Sequence, residues 1–71
     1  MSKVYAVMWE IYYEDASLVG VYSTREKATE KIIKITKDSK EKRYDVNGDC
    51  YLQWGGKDVA SYIINEMEID E

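Results

Sequence analysis

One segment of the chain has helical periodicity, and segments typical of β-strands flank it on both sides. Ser23 and Glu26 have the spacing of a capping box, which marks the start of a helix. The apolar side chains that follow recur at helical spacing, at Ala28, Ile32 and Ile35. We therefore predict a helix over residues 24 to 37. A single helix must bury its apolar side against another layer, and the flanking segments predict that this layer is a sheet.

Two strands are predicted before the helix. Residues 3 to 13 are apolar on both alternating faces and rich in β-forming residue types, which is typical of an interior strand. Polar residues 14 to 17 then provide a short connection, and an apolar run resumes over residues 18 to 22. This pattern predicts an antiparallel hairpin.

Strand-type segments also follow the helix. Asn47 and Gly48 form a dipeptide typical of a two-residue hairpin turn, and strand-forming residues lie on both sides of it between residues 43 and 54. Residues 55 to 58 predict a further turn. The last apolar segment fits both periods, and we favour a strand over residues 61 to 69 rather than the helical alternative.

The order of these segments predicts an α+β fold of the β-β-α-β-β-β type, a small antiparallel sheet with one main helix packed on one face. A chain of 71 residues has room for one domain, which we assign to residues 1 to 71. Its core is small and its strand edges need covering, so we expect a homodimer or a higher oligomer.

The charges of the chain are unevenly distributed. The net charge is −4, yet residues 24 to 43 hold eight basic and four acidic side chains, a local +4, so the remainder carries −8. A net acidic protein repels a phosphate backbone, and we expect no generic nucleic-acid binding. The single cysteine has no internal partner, and the amino-terminal residues lack the apolar run of a signal peptide. We therefore expect a cytoplasmic protein without membrane association, with Cys50 buried in a strand.

The residue types that most often carry catalysis are missing from the sequence. The chain has no histidine, and Cys50 alone provides neither a catalytic pair nor a zinc site. The acidic segment from 45 to 49 lacks the spacing of a calcium loop, because Gly48 comes too early and Trp54 stands where that loop needs Glu. We therefore predict a protein that is not an enzyme, with no catalytic residue, no metal site and no cofactor.

Aromatic residues are more numerous than one helix can cover. The chain has two Trp and seven Tyr, so some of them are expected to face outward, where such side chains are typical anchors of protein interfaces. We combine these with two acidic residues of the last strand into a predicted partner-binding set: Trp9, Tyr12, Tyr13, Tyr51, Trp54, Glu66 and Glu68.

Residues 19 to 28, together with Val4-Tyr5-Ala6-Val7, resemble a family of short phage and bacterial proteins of unknown function. In that family an N-terminal β-hairpin leads through a GVYST-x-EKA segment into a helix, and the chain ends in an acidic strand similar to residues 62 to 70. The resemblance covers residues 3 to 35 and 61 to 71. It implies the fold, but it assigns no catalytic or binding position, because the matching residues are capping and core residues.

Two functions from different classes fit these observations. The first is a phage-encoded inhibitor in the host bacterial cytoplasm, which binds and blocks a host or defence protein through an aromatic surface with acidic surroundings. The second is an oligomeric protein that sequesters a nucleotide signal. In this alternative an aromatic ring stacks on the base, and Arg25, Lys27 or Arg43 contacts the phosphate.

Overall fold

The computed structural model describes residues 2–12 and 14–69. Tyr13, one of the predicted partner-binding residues, lies outside them. The elements in chain order are β1 (Ser2–Ile11), β2 (Ser17–Tyr22), α1 (Arg25–Thr36), β3 (Lys42–Tyr44), β4 (Cys50–Trp54) and β5 (Lys57–Ile69). All four strand pairs are antiparallel, and the strand order is β2-β1-β5-β4-β3. The predicted α+β fold with one helix is confirmed.

The last strand, β5, lies at the centre of the sheet. It pairs with β1 from Ser2↔Ile69 to Ile11↔Ala60 and with β4 on its other side. Because β5 pairs with a strand on each side, the last apolar segment is a strand, and the helical alternative is wrong. At about 3.3 Å per residue, the 13 residues of β5 span about 43 Å. This length matches the longest dimension of the molecule, 45 Å.

The helix begins one residue later than the capping-box spacing indicates. Thr24 has an extended backbone, and its Oγ1 accepts a hydrogen bond of 3.1 Å from the backbone N–H of Lys27, so Thr24 is the N-cap. The prediction that Ser23 fills this position was wrong, and its hydroxyl instead accepts a bond of 3.3 Å from the Lys27 ammonium. No helix within residues 2–12 and 14–69 is long and apolar enough to cross a membrane.

The core lies between α1 and one face of the sheet. Its buried apolar members come from the helix and three strands: Val7, Ala28, Ile32, Cys50 and Ile64. Cys50 is fully buried in β4, as predicted. The third buried position of the helix is Thr36 rather than Ile35, which remains 38% exposed. The Thr36 hydroxyl donates to the Ile32 carbonyl at 2.7 Å, so its polar group is satisfied inside the core.

The connection between β3 and β4 is longer than the predicted two-residue turn. It spans five residues, 45 to 49, because the Asp45 carboxylate accepts bonds from two backbone N–H groups inside the loop. Asp45 Oδ1 lies 2.9 Å from the Asn47 nitrogen and 3.1 Å from the Asp49 nitrogen. Such Asx bonding offers the backbone an alternative to the tight turn that Asn47 and Gly48 would form.

The two-residue hairpin turn of the sheet lies instead between β4 and β5. Gly55 and Gly56 have φ values of +60° and +81°. A type I′ turn requires positive φ at both central residues, which glycine adopts at little cost. The turn expected over residues 55 to 58 is therefore confirmed, with its centre at these two glycines.

Candidate functional site

One face of the sheet carries no helix. Val7 and Ile64 are paired with each other and point towards α1, so their neighbours along β1 and β5 point to the opposite side. Met8 and Ile63, which are also paired, therefore lie on that opposite side. Within the part of the chain that the structure describes, no element packs over it.

The uncovered side of the sheet is mostly apolar across three adjacent strands, with Asn65 an exposed polar residue on the same side. Leu18 and Val21 of β2 are 60% and 51% exposed, and Met67 and Ile69 of β5 are 46% and 44% exposed. Cross-strand pairs join these side chains into one surface, including Met8↔Leu18 on one side of β1 and Val4↔Met67 on the other. We call this surface the open face, and it consists of Val4, Met8, Leu18, Val21, Ile63, Met67 and Ile69. Exposed apolar patches of this kind mark interaction surfaces.

Arg43 and Tyr51 form the polar end of the same side of the sheet. They are directly paired between β3 and β4, and the Arg43 guanidinium lies 4.5 Å from the centre of the Tyr51 ring. Arg43 also contacts Asp58, with 3.5 Å between Nη2 and Oδ2. Burial raises the pKa of the Tyr51 hydroxyl, and the nearby carboxylate of Asp45 raises it further. The Tyr51 ring therefore stays neutral and available for stacking.

Of the other described aromatic residues of the predicted set, Tyr12 lies on the same side of the sheet as Tyr51 and interacts with it electrostatically, whereas Trp9 does not lie on that side. Trp9 points to the α1 side, where its ring lies 4.5 Å from that of Tyr62 at 39°. Tyr12 follows β1 and is 41% exposed, with its N–H bonded to the Val59 carbonyl. Trp54 stands at the end of β4 with 78% of its surface exposed, beside a groove of about 490 Å³ that Leu52 also lines.

The two acidic residues of the predicted set lie on the α1 side of β5. Glu66 contacts Lys3 at 3.7 Å and Arg25 at 4.0 Å, and these side chains are largely exposed. Exposed ion pairs contribute little to stability, about 0.2–1 kcal/mol. Glu68 is paired with Lys3 in the sheet register and is exposed to solvent. Both carboxylates therefore lie on the opposite side of the sheet from the open face.

The three cations of the nucleotide hypothesis are not brought together. Arg25 donates to the Asn47 carbonyl at 2.9 Å and contacts Glu66, Lys27 contacts Ser23, and Arg43 lies on the opposite side of the sheet. The groove next to Arg25 has a volume of about 490 Å³, but three carboxylates line it. Those three are Glu26, Glu30 and Asp45. An anion would be repelled there.

Asp49 is a buried polar residue to which the sequence assigned no role. It is 8% exposed, and its Oδ1 accepts a hydrogen bond of 2.8 Å from the backbone N–H of Ile64, beyond the last pair between β4 and β5. Burial raises the pKa of the Asp49 carboxyl, although the bond from Ile64 opposes this effect. Its role is to extend the pairing of β5 by one residue.

Sequence reasoning also missed the apolar residues of the open face. The signal was present in β1, where both alternating sets of side chains are apolar. That signal identifies an interior strand but does not say which set the helix covers. Within residues 2–12 and 14–69, no group of three or more cysteine, aspartate or glutamate side chains is arranged to hold a metal ion.

The fold and this surface define a class: small α+β domains in which one helix covers one face of a five-stranded antiparallel sheet and leaves an apolar face exposed. Residues 2–71 match the model of a family described as a domain of unknown function (DUF7336), and the chain belongs to that family. Membership of a family of unknown function, inferred above from a resemblance, is confirmed at that level. The comparisons with curated proteins and with solved structures gave no match.

Proposed function

We propose that this chain is a non-enzymatic binding protein whose open face covers and blocks an apolar surface of another protein. The observation that carries the proposal is the exposure of Leu18 and Val21 on β2 and of Met67 on β5, with no covering element among the described residues. Water contact with such side chains is unfavourable by about 25 cal/mol per Å², so a partner that covers them gains binding energy.

The charge of the chain favours a particular kind of partner. Arg43 is balanced by Asp58, and Glu10 is an exposed carboxylate on the same side of the sheet as the open face. The whole chain has a net charge of −4, so a second copy is repelled whereas a partner with a basic rim is attracted. We therefore propose a partner protein with an apolar centre and basic surroundings.

In its more specific form, the proposal is that the chain is a phage-encoded inhibitor of a bacterial host or defence protein. Its support is the small size of the domain, the absence of histidine from the sequence, and the resemblance to short phage and bacterial proteins. The alternative, an oligomer that sequesters a nucleotide, draws no support from the positions of Arg25, Lys27 and Arg43. A rise in melting temperature with micromolar nucleotide would favour that alternative.

Two matched lysine substitutions test the open face. Val21 is 51% exposed on the open face and Ile33 is 47% exposed on the outer side of α1, so Val21→Lys and Ile33→Lys add the same charge at sites of similar exposure. Tagged protein is used to capture partners from a bacterial lysate. We expect one stoichiometric protein with the wild type and with I33K, and at least about a tenfold loss with V21K.

The same variants decide between the proposed partner and self-association. Equal capture by V21K and I33K would overturn the proposal, provided that both melt within a few degrees of the wild type. Analytical ultracentrifugation adds a second readout. A wild-type dimer that becomes a monomer only in V21K would assign the open face to a second copy and would exclude its use by an inhibitor target.

A further inference from the structure

Strand β5 continues past the end of its pairing with β4. The pairing with β4 ends at Cys50↔Tyr62, and the next outward N–H, that of Ile64, is bonded to the Asp49 carboxylate. Backbone groups alternate in direction along a strand, so the N–H groups of Glu66 and Glu68 point the same way as that of Ile64. No strand pairs with these two residues on this side within residues 2–12 and 14–69.

The opposite side of the same segment is held firmly by β1. Val4↔Met67 and Ser2↔Ile69 are paired, so residues 65 to 69 keep a strand conformation without help from β4. We call the outward side of residues 65 to 69 the open edge. An edge that is already extended and carries unpaired N–H and C=O groups is a template for an added strand.

The side chains along the open edge disfavour a second copy of the chain. In the symmetric antiparallel register that uses both outward amides, Glu66 of each copy lies opposite Glu68 of the other. Directly opposed like charges destabilise a strand pair, and charged residues on edges prevent self-association in many sheets. The occupant that suits this edge therefore carries the opposite charge.

We propose that the open edge binds an extended segment of a partner protein in which basic and apolar residues alternate. Side chains directly opposite each other across a strand pair share one face of the sheet. Basic residues of the added strand would lie beside Glu66 and Glu68, and its apolar residues would lie beside Met67 and Ile69, which are exposed on the other face. The added strand would enlarge the open face by one strand.

The ion pairs already formed by Glu66 leave room for this interaction. Its distances to Lys3 and Arg25 are 3.7 and 4.0 Å, and its side chain is 44% exposed. Such pairs are weak, so a partner cation does not have to displace a strong contact. The proposal is also independent of the open-face test, because Val21 lies on β2, at the far side of β1 from the open edge.

The probe is a labelled nine-residue peptide of alternating lysine and valine, measured by fluorescence anisotropy. The reference peptide has the same composition with the lysines and valines in two separate blocks. We expect the wild-type chain to bind the alternating peptide at least about fivefold more tightly than the block peptide. Only the alternating pattern places lysines on the side of Glu66 and Glu68 and valines on the side of Met67 and Ile69.

Two substitutions at Glu68 separate the backbone contribution from the charge. Glu68→Pro removes an N–H that points outward and takes no part in pairing with β1, a position where an edge strand tolerates proline. We expect E68P to weaken binding by about threefold to tenfold. Glu68→Gln keeps the amide and removes the charge, so about a twofold loss is expected. The double variant E66K/E68K should prefer a peptide of alternating glutamate and valine.

The measurements decide the proposal in either direction. Equal affinity for the alternating and block peptides, or unchanged binding by E68P, would overturn it. Loss of peptide binding in V21K to the same extent as in E68P would place the peptide on the open face and would also overturn it. Retention of peptide binding by V21K with loss in E68P supports the open edge, whatever the capture experiment shows for the open face.

Discussion

Replacing Gly48 with alanine should destabilise the fold through two separate effects. The first is backbone strain, because Gly48 has a φ of +90°, a conformation that costs a residue with a Cβ about 1–2 kcal/mol. The second is steric. A Cβ at this position would overlap Oγ1 of Thr29 on α1 and would lie 3.3 Å from Cδ1 of Ile64. Overpacking of this kind costs about 1–3 kcal/mol.

The two effects together predict a loss of about 2–5 kcal/mol for Gly48→Ala. Gly55 is the matched control, because its φ is +60° but nothing lies within 4 Å of the position of its Cβ. Gly55→Ala should therefore show only the strain of about 1–2 kcal/mol. For a domain of this size, each 1 kcal/mol lowers the melting temperature by about 4–8 °C.

Urea unfolding followed by tryptophan fluorescence measures these free energies, and a double-mutant cycle isolates the steric part. Thr29→Ala removes the hydroxyl that the new Cβ would meet. The G48A/T29A double variant should regain about 1–3 kcal/mol relative to the sum of the single changes. Equal losses for G48A and G55A, or additivity in the cycle, would refute the argument that the loop is packed against α1 at this point.

Three further changes test the buried polar and capping contacts. Asp49→Ala should cost about 1–3 kcal/mol because the Ile64 N–H loses its acceptor. Asp49→Asn should match or exceed the wild type at neutral pH; because burial raises the pKa of the carboxyl, this advantage should disappear below about pH 4, where Asp49 is protonated in both states. Thr24→Ala should cost about 1 kcal/mol by removing the acceptor for the Lys27 N–H. Cys50 is fully buried and burial also raises the pKa of its thiol, so a thiol reagent should label it only when the fold opens.

Each of these expectations has an outcome that would contradict it. The expectation for Asp49 is tested by urea unfolding between pH 3 and pH 8. It would be contradicted if D49N were as unstable as D49A, or if the stability advantage of D49N over the wild type grew at acid pH. The N-cap assignment would be wrong if Ser23→Ala cost as much as Thr24→Ala. The burial of Cys50 would be wrong if its labelling rate in native buffer matched the rate in urea.

Local sequence patterns predicted the elements well and their ends less well. The spacing of Ala28 and Ile32 predicted α1, because an apolar repeat along one helix is a property of the segment itself. The N-cap was displaced from Ser23 to Thr24 because two adjacent hydroxyls were available and only the backbone conformation decides between them. The prediction of a two-residue turn at Asn47 and Gly48 was wrong because the Asp45 side chain competes for the loop N–H groups.

The predicted binding residues show the limit of residue type as evidence. Trp9 was chosen for its ring, but its strand position turns it towards α1, where it packs on Tyr62. Leu18 and Val21 were not chosen, although they are among the more exposed apolar side chains on the open face. Exposure depends on which side of a strand faces the helix, and residue type does not contain that information.

The sequence by itself determined the type of every element except the last, the burial of Cys50 and the α+β class, because periodicity and turn chemistry act between residues close in the chain. The tertiary structure alone decided that β5 lies between β1 and β4, since these pairings join residues far apart in sequence. It also decided which face α1 covers, because both alternating sets of β1 side chains are apolar and each was equally able to enter the core. The open face and the open edge follow from those two choices.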